Sequence, residues 1–152
     1  NIMPYLEVGH IYREQGDFET AKSWYAKALD QSPNNFTAVY FLGLTLYQLE
    51  DDAQARYYLQ RAVDLKPAHA ASAYYLAQTL KRSDESQAAL EYLERAIGFK
   101  DAKPWRWLVE LGDWRYADGD VQGALDAYKE ALDNQPGDAA LLNKVRELEK
   151  SP

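Results

Sequence analysis

The constraint that governs this chain is a spacing. Gly9, Ala21, Ala28 and Pro33 recur as Gly43, Ala55, Ala62 and Pro67, each 34 residues further on. Another 34 residues carry Gly43 to Ala77, Ala55 to Ala89 and Ala62 to Ala96, and a final step of 35 reaches Gly112, Ala124 and Ala131. Pro67 has no counterpart at Asp101, but Pro136 restores the pattern. Four units follow, at about 2–35, 36–69, 70–104 and 105–138, with a tail that completes the 152 residues. A period of this length means one small supersecondary unit, used repeatedly, that buries its apolar face only by stacking on its neighbours.

Each unit reads as two helices. Its first half carries apolar residues at helical spacing, as in Val39, Leu42, Gly43 and Leu46. A polar turn follows: Gln15-Gly16-Asp17, Glu50-Asp51-Asp52, Ser83-Asp84-Glu85 or Asp118-Gly119-Asp120. Gly16 and Gly119 suit a left-handed helix end, and the Asp or Ser in these turns suits an N-cap. The second half is helical again, through Ala55, Leu59, Ala62 and Val63. It closes in Asp-Gln-Ser-Pro, Asp-Leu-Lys-Pro or Asp-Asn-Gln-Pro, where proline stops the helix. The small residues at 9, 43, 77 and 112 face alanines of the second helix, so the two backbones approach closely. Large side chains at 12, 25, 46, 59, 80, 93 and 128 fill the space around them. After Pro136 one further helix is predicted, with Asp138 as N-cap and Ala140, Leu141, Val145 and Leu148 as its apolar stripe. Such a helix covers the open face of the last unit.

These units resemble the tetratricopeptide repeat (TPR), whose pattern is aromatic-x₂-Leu-Gly-x₂-Tyr, then Ala, Phe or Tyr, Ala and Pro. Unit one supplies Tyr5, Val8, Gly9, Tyr12, Ala21, Tyr25, Ala28 and Pro33. Unit four supplies Leu108, Leu111, Gly112, Arg115, Ala124, Tyr128, Ala131 and Pro136. Unit three departs most, with Ala77 in place of glycine and no closing proline. The resemblance implies an all-α fold: a right-handed superhelical α-solenoid of four helix-turn-helix units with a C-terminal capping helix over about 138–150, forming one domain over 1–152. The junction Gly98–Pro104 carries the one-residue insertion, and a bend is expected there.

Composition narrows the function. With no cysteine, thiol catalysis, disulfides and cysteine-based zinc sites are excluded. No run of about 18 apolar residues is present, so no membrane-spanning helix is expected. A net charge of −7 argues against a nucleic-acid backbone as partner. His10 and His69 lie in different units, and neither has a histidine four residues away. Phosphate-binding glycine loops, nucleophile elbows and metalloprotease helices have no match. Asp113, Asp118 and Asp120 lack the ligand order of a calcium loop and read as turn and cap residues. Neither enzymatic activity nor a cofactor nor a metal is expected. A soluble domain is expected, in the cytoplasm or the periplasm alike. The chain opens at Asn1 rather than Met, and Ile2 and Tyr5 begin a repeat with no helix before it. This suggests a piece of a longer array, or an end open to self-association.

The resemblance also implies where a partner would sit, because TPR units bind mainly through positions two, five, six, nine, twelve and thirteen, on a concave face lined by first helices. Carried onto this sequence, those positions include His10 and Arg13; Tyr40, Phe41, Leu44 and Tyr47; Tyr74, Tyr75, Gln78, Lys81 and Arg82; and Arg106 and Tyr116. Rings concentrate in units two and three of a chain with twelve tyrosines, and tyrosine combines rigid area with a hydroxyl. Arg13, Lys81, Arg82 and Arg106 place positive charge on that face of an acidic protein. The chaperone-tail clamp of some TPR domains is not matched, since its positions hold Leu6, His10, Phe41, Ala71 and Tyr75, or one unit on, Tyr40, Leu44, Tyr75, Arg106 and Glu110. The expected function is a non-catalytic scaffold that binds an extended protein or peptide segment with apolar or aromatic anchors and an acidic group. The alternative is a structural spacer or oligomerisation domain of a larger protein, with no groove ligand. Trp105, Trp107 and Trp114 cluster at the start of unit four, where both packing around the junction and an exposed patch remain open readings.

Overall fold

The computed structural model describes residues 1–99 and 104–150. Among them, all regular structure is α-helical: α1 (Met3–Glu14), α2 (Phe18–Gln31), α3 (Phe36–Gln48), α4 (Asp52–Leu65), α5 (Ala70–Arg82), α6 (Ser86–Gly98), α7 (Trp105–Ala117), α8 (Val121–Asn134) and α9 (Ala139–Lys150). The expected bend falls on 100–103, outside the described residues. The chain forms two compact units, called unit 1 (Asn1–Tyr92) and unit 2 (Leu93–Pro152) and distinct from the repeat units one to four, and the division falls within α6.

The turn inside each repeat is a Schellman motif, the same in all four. After α1, Gly16 N–H donates to Arg13 O at 3.0 Å and Asp17 N–H to Tyr12 O at 2.9 Å. The pairs Glu50/Asp51, Asp84/Glu85 and Gly119/Asp120 repeat this with the carbonyls of 47 and 46, 81 and 80, and 116 and 115. The motif needs a left-handed residue at its first position. Gly16 and Gly119 supply it without strain at φ +80° and +85°, whereas Glu50 and Asp84 are forced to φ +60°. In three turns the next residue also caps the following helix. Asp17, Asp51 and Asp120 accept the backbone N–H of Thr20, Gln54 and Gly123 at 3.1, 3.2 and 2.9 Å. Asn35 and Asp138 cap α3 and α9 in the same way, and each such cap contributes about 1 kcal/mol.

The glycines set the distance between the helices of a pair. A Cβ on Gly9 would lie 2.7 Å from Tyr25 Cε1, and one on Gly112 would lie 2.7 Å from Tyr128 Cδ1. In unit two Leu59 takes the ring's place, and a Cβ on Gly43 would meet its backbone nitrogen at 3.1 Å. Ala21, Ala28, Ala55, Ala62, Ala124 and Ala131 have no exposed surface, as the small-residue pattern requires.

In unit 1, α1 pairs with α2 and α3 with α4, while α2 packs on α3 and α4 on α5. The first helices also meet each other, α1 with α3 and α3 with α5. With neighbours on every side, α3 buries eight residues: Ala38, Val39, Tyr40, Leu42, Gly43, Leu44, Thr45 and Leu46. Polar ties cross between repeats on the second-helix side, where Arg61 donates to Pro33 O at 2.7 Å and the Tyr92 hydroxyl to Gln60 Oε1 at 2.9 Å. In unit 2, α7 pairs with α8 and α8 packs on α9. There α9 turns Leu141 and Val145 inward, and Lys129 pairs with Glu149 at 2.9 Å. No helix among the described residues is long and apolar enough to cross a membrane.

Candidate functional site

Aromatic side chains follow the row α1, α3, α5 of unit 1 and fall into three groups. The first joins α1, α2 and α3. His10 Nδ1 and the Tyr25 hydroxyl share a hydrogen bond of 2.7 Å, and the His10 ring stands edge-on to Phe41 at 4.3 Å. Tyr25 stacks on Phe41 at 5.9 Å, and the Arg13 guanidinium lies 5.3 Å from the centre of the Phe41 ring. Burial lowers the His10 pKa from its usual 6.5, the Arg13 charge adds to that, and Glu14 opposes it. Arg13 Nε is buried and finds no acceptor among the described residues.

The second group closes the junction of units two and three. Phe36 and Tyr40 stack at 5.9 Å, His69 stands edge-on to both at 4.9 Å, and the Lys66 ammonium lies 4.3 Å above Phe36. His69 is also the N-cap of α5, its Nδ1 accepting the Ser72 N–H at 3.2 Å. These covers leave Tyr40 9% exposed, and burial pushes its hydroxyl up to about 12 with Tyr75 nearby. The third group is a strip of half-buried tyrosines across α3 and α5. Tyr47 meets Tyr75 at 5.4 Å, and Tyr75 meets Tyr74 at 5.3 Å. Arg82 lies 4.0 Å over the Tyr47 ring, donates to Tyr47 O at 3.0 Å and pairs with Asp52.

The predicted contact residues therefore divide by role. Phe41, Tyr47, Tyr74, Tyr75 and Gln78 are half-buried on α3 and α5; ring contacts bring Phe41 into the first group and the three tyrosines into the third. Tyr40 and Leu44, expected on the surface of the groove, are buried at 9% and 7%, because α3 is flanked on both sides. Arg82, expected as a cation facing a ligand, is engaged with Asp52 and the end of α3, and Lys81 donates to Ser86 Oγ at 3.2 Å. His10 and Arg13 lie beside Phe41. In unit 2, Arg106 stacks 5.0 Å from the centre of the Trp105 ring, and Tyr116 is 55% exposed. Trp105, Trp107 and Trp114 are each half-buried on α7. His69 as a helix cap was not foreseen, although its place three residues before Ser72 matches that of Asn35 before Ala38.

The three aspartates have structural roles. Asp120 caps α8, Asp118 ends α7, and Asp113 accepts from the Tyr128 hydroxyl at 2.6 Å and pairs with Lys144. Among the described residues no three His, Asp or Glu side chains converge as metal ligands would.

The tetratricopeptide-repeat family model matches residues 6–70 and 74–139, most of the chain. The chain belongs to the tetratricopeptide-repeat family. Solved structures of other TPR proteins superpose closely on this one. A MamA protein is 27% identical, with TM-score 0.86 over 97% of this chain and 80% of its own. MamA residues 41–end from Desulfovibrio magneticus RS-1 are 21% identical, with TM-score 0.83 over 91% of this chain and 78% of theirs. YrrB, described as a TPR protein with an unusual peptide-binding site, is 21% identical with TM-score 0.84, covering 97% of this chain and 76% of its own. No curated protein sequence matches the chain. These TPR likenesses place it among helical solenoids, a fold whose established use is as a protein-interaction scaffold.

Proposed function

We propose that the chain is a non-catalytic TPR scaffold that holds an extended peptide segment of a protein partner along the α1–α3–α5 side of unit 1. The observation that carries this reading is the Tyr47–Tyr75–Tyr74 strip. Three half-buried rings in mutual contact, Tyr47 tilted against Tyr75 and Tyr74 edge-on to it, form a platform that loses little entropy when an apolar side chain lies on it. Arg13 is the cation best placed for an acidic group of the ligand, since it lies beside Phe41, whereas Arg82 is committed to Asp52. The anchors are then Phe41, Tyr47, Tyr74 and Tyr75, with Tyr40 and Leu44 supporting them from beneath.

Selection of twelve-residue peptides from a random display library against the full chain tests this. Enriched sequences should carry apolar anchors and an acidic residue, and the Tyr47→Ala, Tyr74→Ala double variant should bind them at least tenfold more weakly with its melting temperature little changed. Failure to enrich any sequence, or enriched peptides indifferent to both tyrosines, would overturn the reading in favour of a spacer without a groove ligand.

A further inference from the structure

Helix α1 shows a face that its counterparts bury. Pro4, Val8 and Ile11 stand at i, i+4 and i+7 and so line one side of the helix. The same repeat positions hold Ala38, Leu42 and Thr45 on α3 and Ser72, Leu76 and Thr79 on α5, where exposure runs from 0% to 3%. On α1, Pro4 is exposed, Val8 is half-buried and Ile11 is 53% exposed. What α3 and α5 have, and α1 lacks among the described residues, is a second helix from the repeat before: α2 packs on α3, and α4 on α5.

The filled interface defines what the open one accepts. Arg56, Gln60 and Val63 lie at i, i+4 and i+7 of α4. Arg56 pairs with Glu85, Gln60 accepts from the Tyr92 hydroxyl at 2.9 Å, and Val63 is buried. In the first repeat Asp17 takes the place of Glu85: each follows the left-handed residue of its turn, and its N–H donates to the carbonyl of Tyr12 or Leu80. Trp24 takes the place of Tyr92 and is half-buried, its ring stacked on Tyr5. An apolar stripe on α1 thus runs beside a carboxylate and an indole N–H on α2. A second copy is the poorer source of the missing helix, because its α2, α4 and α8 already pack on α3, α5 and α9. We propose that this face docks an amphipathic helix of another protein, one that presents a basic, a hydrogen-bonding and an aliphatic residue at i, i+4 and i+7. The aliphatic residue covers Val8 and Ile11 and supplies the driving force. The basic head on Asp17 and an acceptor for the Trp24 N–H set the register, exposed charge pairs adding little energy. This face is separate from the Tyr47–Tyr75–Tyr74 strip and does not rest on the groove reading.

The probe is the α4 sequence itself, residues 51–66 as a capped peptide, held helical by a lactam bridge between positions 57 and 61, away from Arg56, Gln60 and Val63. Titrated into the ¹⁵N-labelled full chain, it should saturably shift the amides of Val8, Ile11 and Asp17 and the indole N–H of Trp24, with α9 unmoved. Ile11→Asp changes an exposed side chain, so the melting temperature should hold while binding falls at least tenfold, because docking would bury an unpaired carboxylate. Asp17→Asn keeps a capping oxygen for the Thr20 N–H. It should weaken the peptide about threefold and leave an Arg56→Gln peptide unaffected. No response at these signals, or indifference of both chain variants, overturns the proposal. Shifts confined to α3 and α5 around Tyr47 and Tyr75 would put the peptide in the groove and overturn it too. So would movement of the same signals with protein concentration alone, which would show a second copy on this face. A failed titration beside display peptides that depend on Tyr47 and Tyr74 would remove this docking face and keep the groove.

Discussion

Gly112→Ala tests the packing logic on which each repeat depends. The added methyl would sit 2.7 Å from Cδ1 and 2.9 Å from Cζ of Tyr128, inside van der Waals contact at both. That ring cannot simply swing away. It is 3% exposed, its hydroxyl donates to Asp113 at 2.6 Å, and the Lys144 ammonium lies 5.1 Å from its centre. Overpacking of a fixed side chain costs about 1–3 kcal/mol, and several simultaneous overlaps place this site near the top of that range. Alanine returns about 1 kcal/mol of helix propensity over glycine. The net expectation is a loss of about 2 kcal/mol, or roughly a thirtyfold shift in the unfolding equilibrium, since about 1.4 kcal/mol is a factor of ten. Urea unfolding followed by tryptophan fluorescence reads it directly, because Trp105, Trp107 and Trp114 all lie on α7. Tyr128→Leu copies the glycine–leucine pairing of unit two, so the double variant should be more stable than the sum of the two changes by about 1 kcal/mol or more. An unchanged or raised stability in Gly112→Ala, or strict additivity in the double variant, would refute the claim that glycine sets the helix spacing.

Three further outcomes follow from the local geometry. Glu50→Gly and Asp84→Gly should each stabilise the chain by about 0.5–1 kcal/mol in a denaturant melt, because left-handed backbone costs an L-residue more than glycine loses in chain entropy. His69→Asn keeps an N-cap acceptor whereas His69→Ala removes it, so the asparagine variant should be about 1 kcal/mol the more stable of the two. His10 has a lowered pKa in the fold, so the unfolded chain binds the proton more readily; stability should fall as pH drops through 6.5, and His10→Gln should flatten that slope in melts between pH 7 and 5.

The architecture was legible because its causes are local and repeated. Gly9, Gly43 and Gly112 mark close helix approaches, and the polar turns mark Schellman ends and caps, each a property of a few adjacent residues. The candidate site is a matter of position alone. Position within the repeat gave Phe41, Tyr47, Tyr74 and Tyr75 the same standing as Tyr40 and Leu44, although α3 lies between two other first helices and buries the latter two. Burial at that level depends on which side chain arrives from outside the helix, here His69 at the start of α5 over Tyr40, and spacing along one helix does not carry that information. Arg82 shows the same limit: its partner Asp52 lies thirty residues away in the preceding repeat. The predicted cap over 138–150 is present as the helix α9, while the Lys144–Asp113 pair that ties it to α7 lies between elements that no local pattern connects.

Mapping a display-selected peptide onto the labelled full chain decides whether the first helices bind it. Saturating peptide should shift amides along α3 and α5 around Phe41, Tyr47, Tyr74 and Tyr75, with the Tyr47→Ala, Tyr74→Ala variant losing those shifts. Shifts confined to the second helices α2 and α4, with α3 and α5 unmoved, would contradict it.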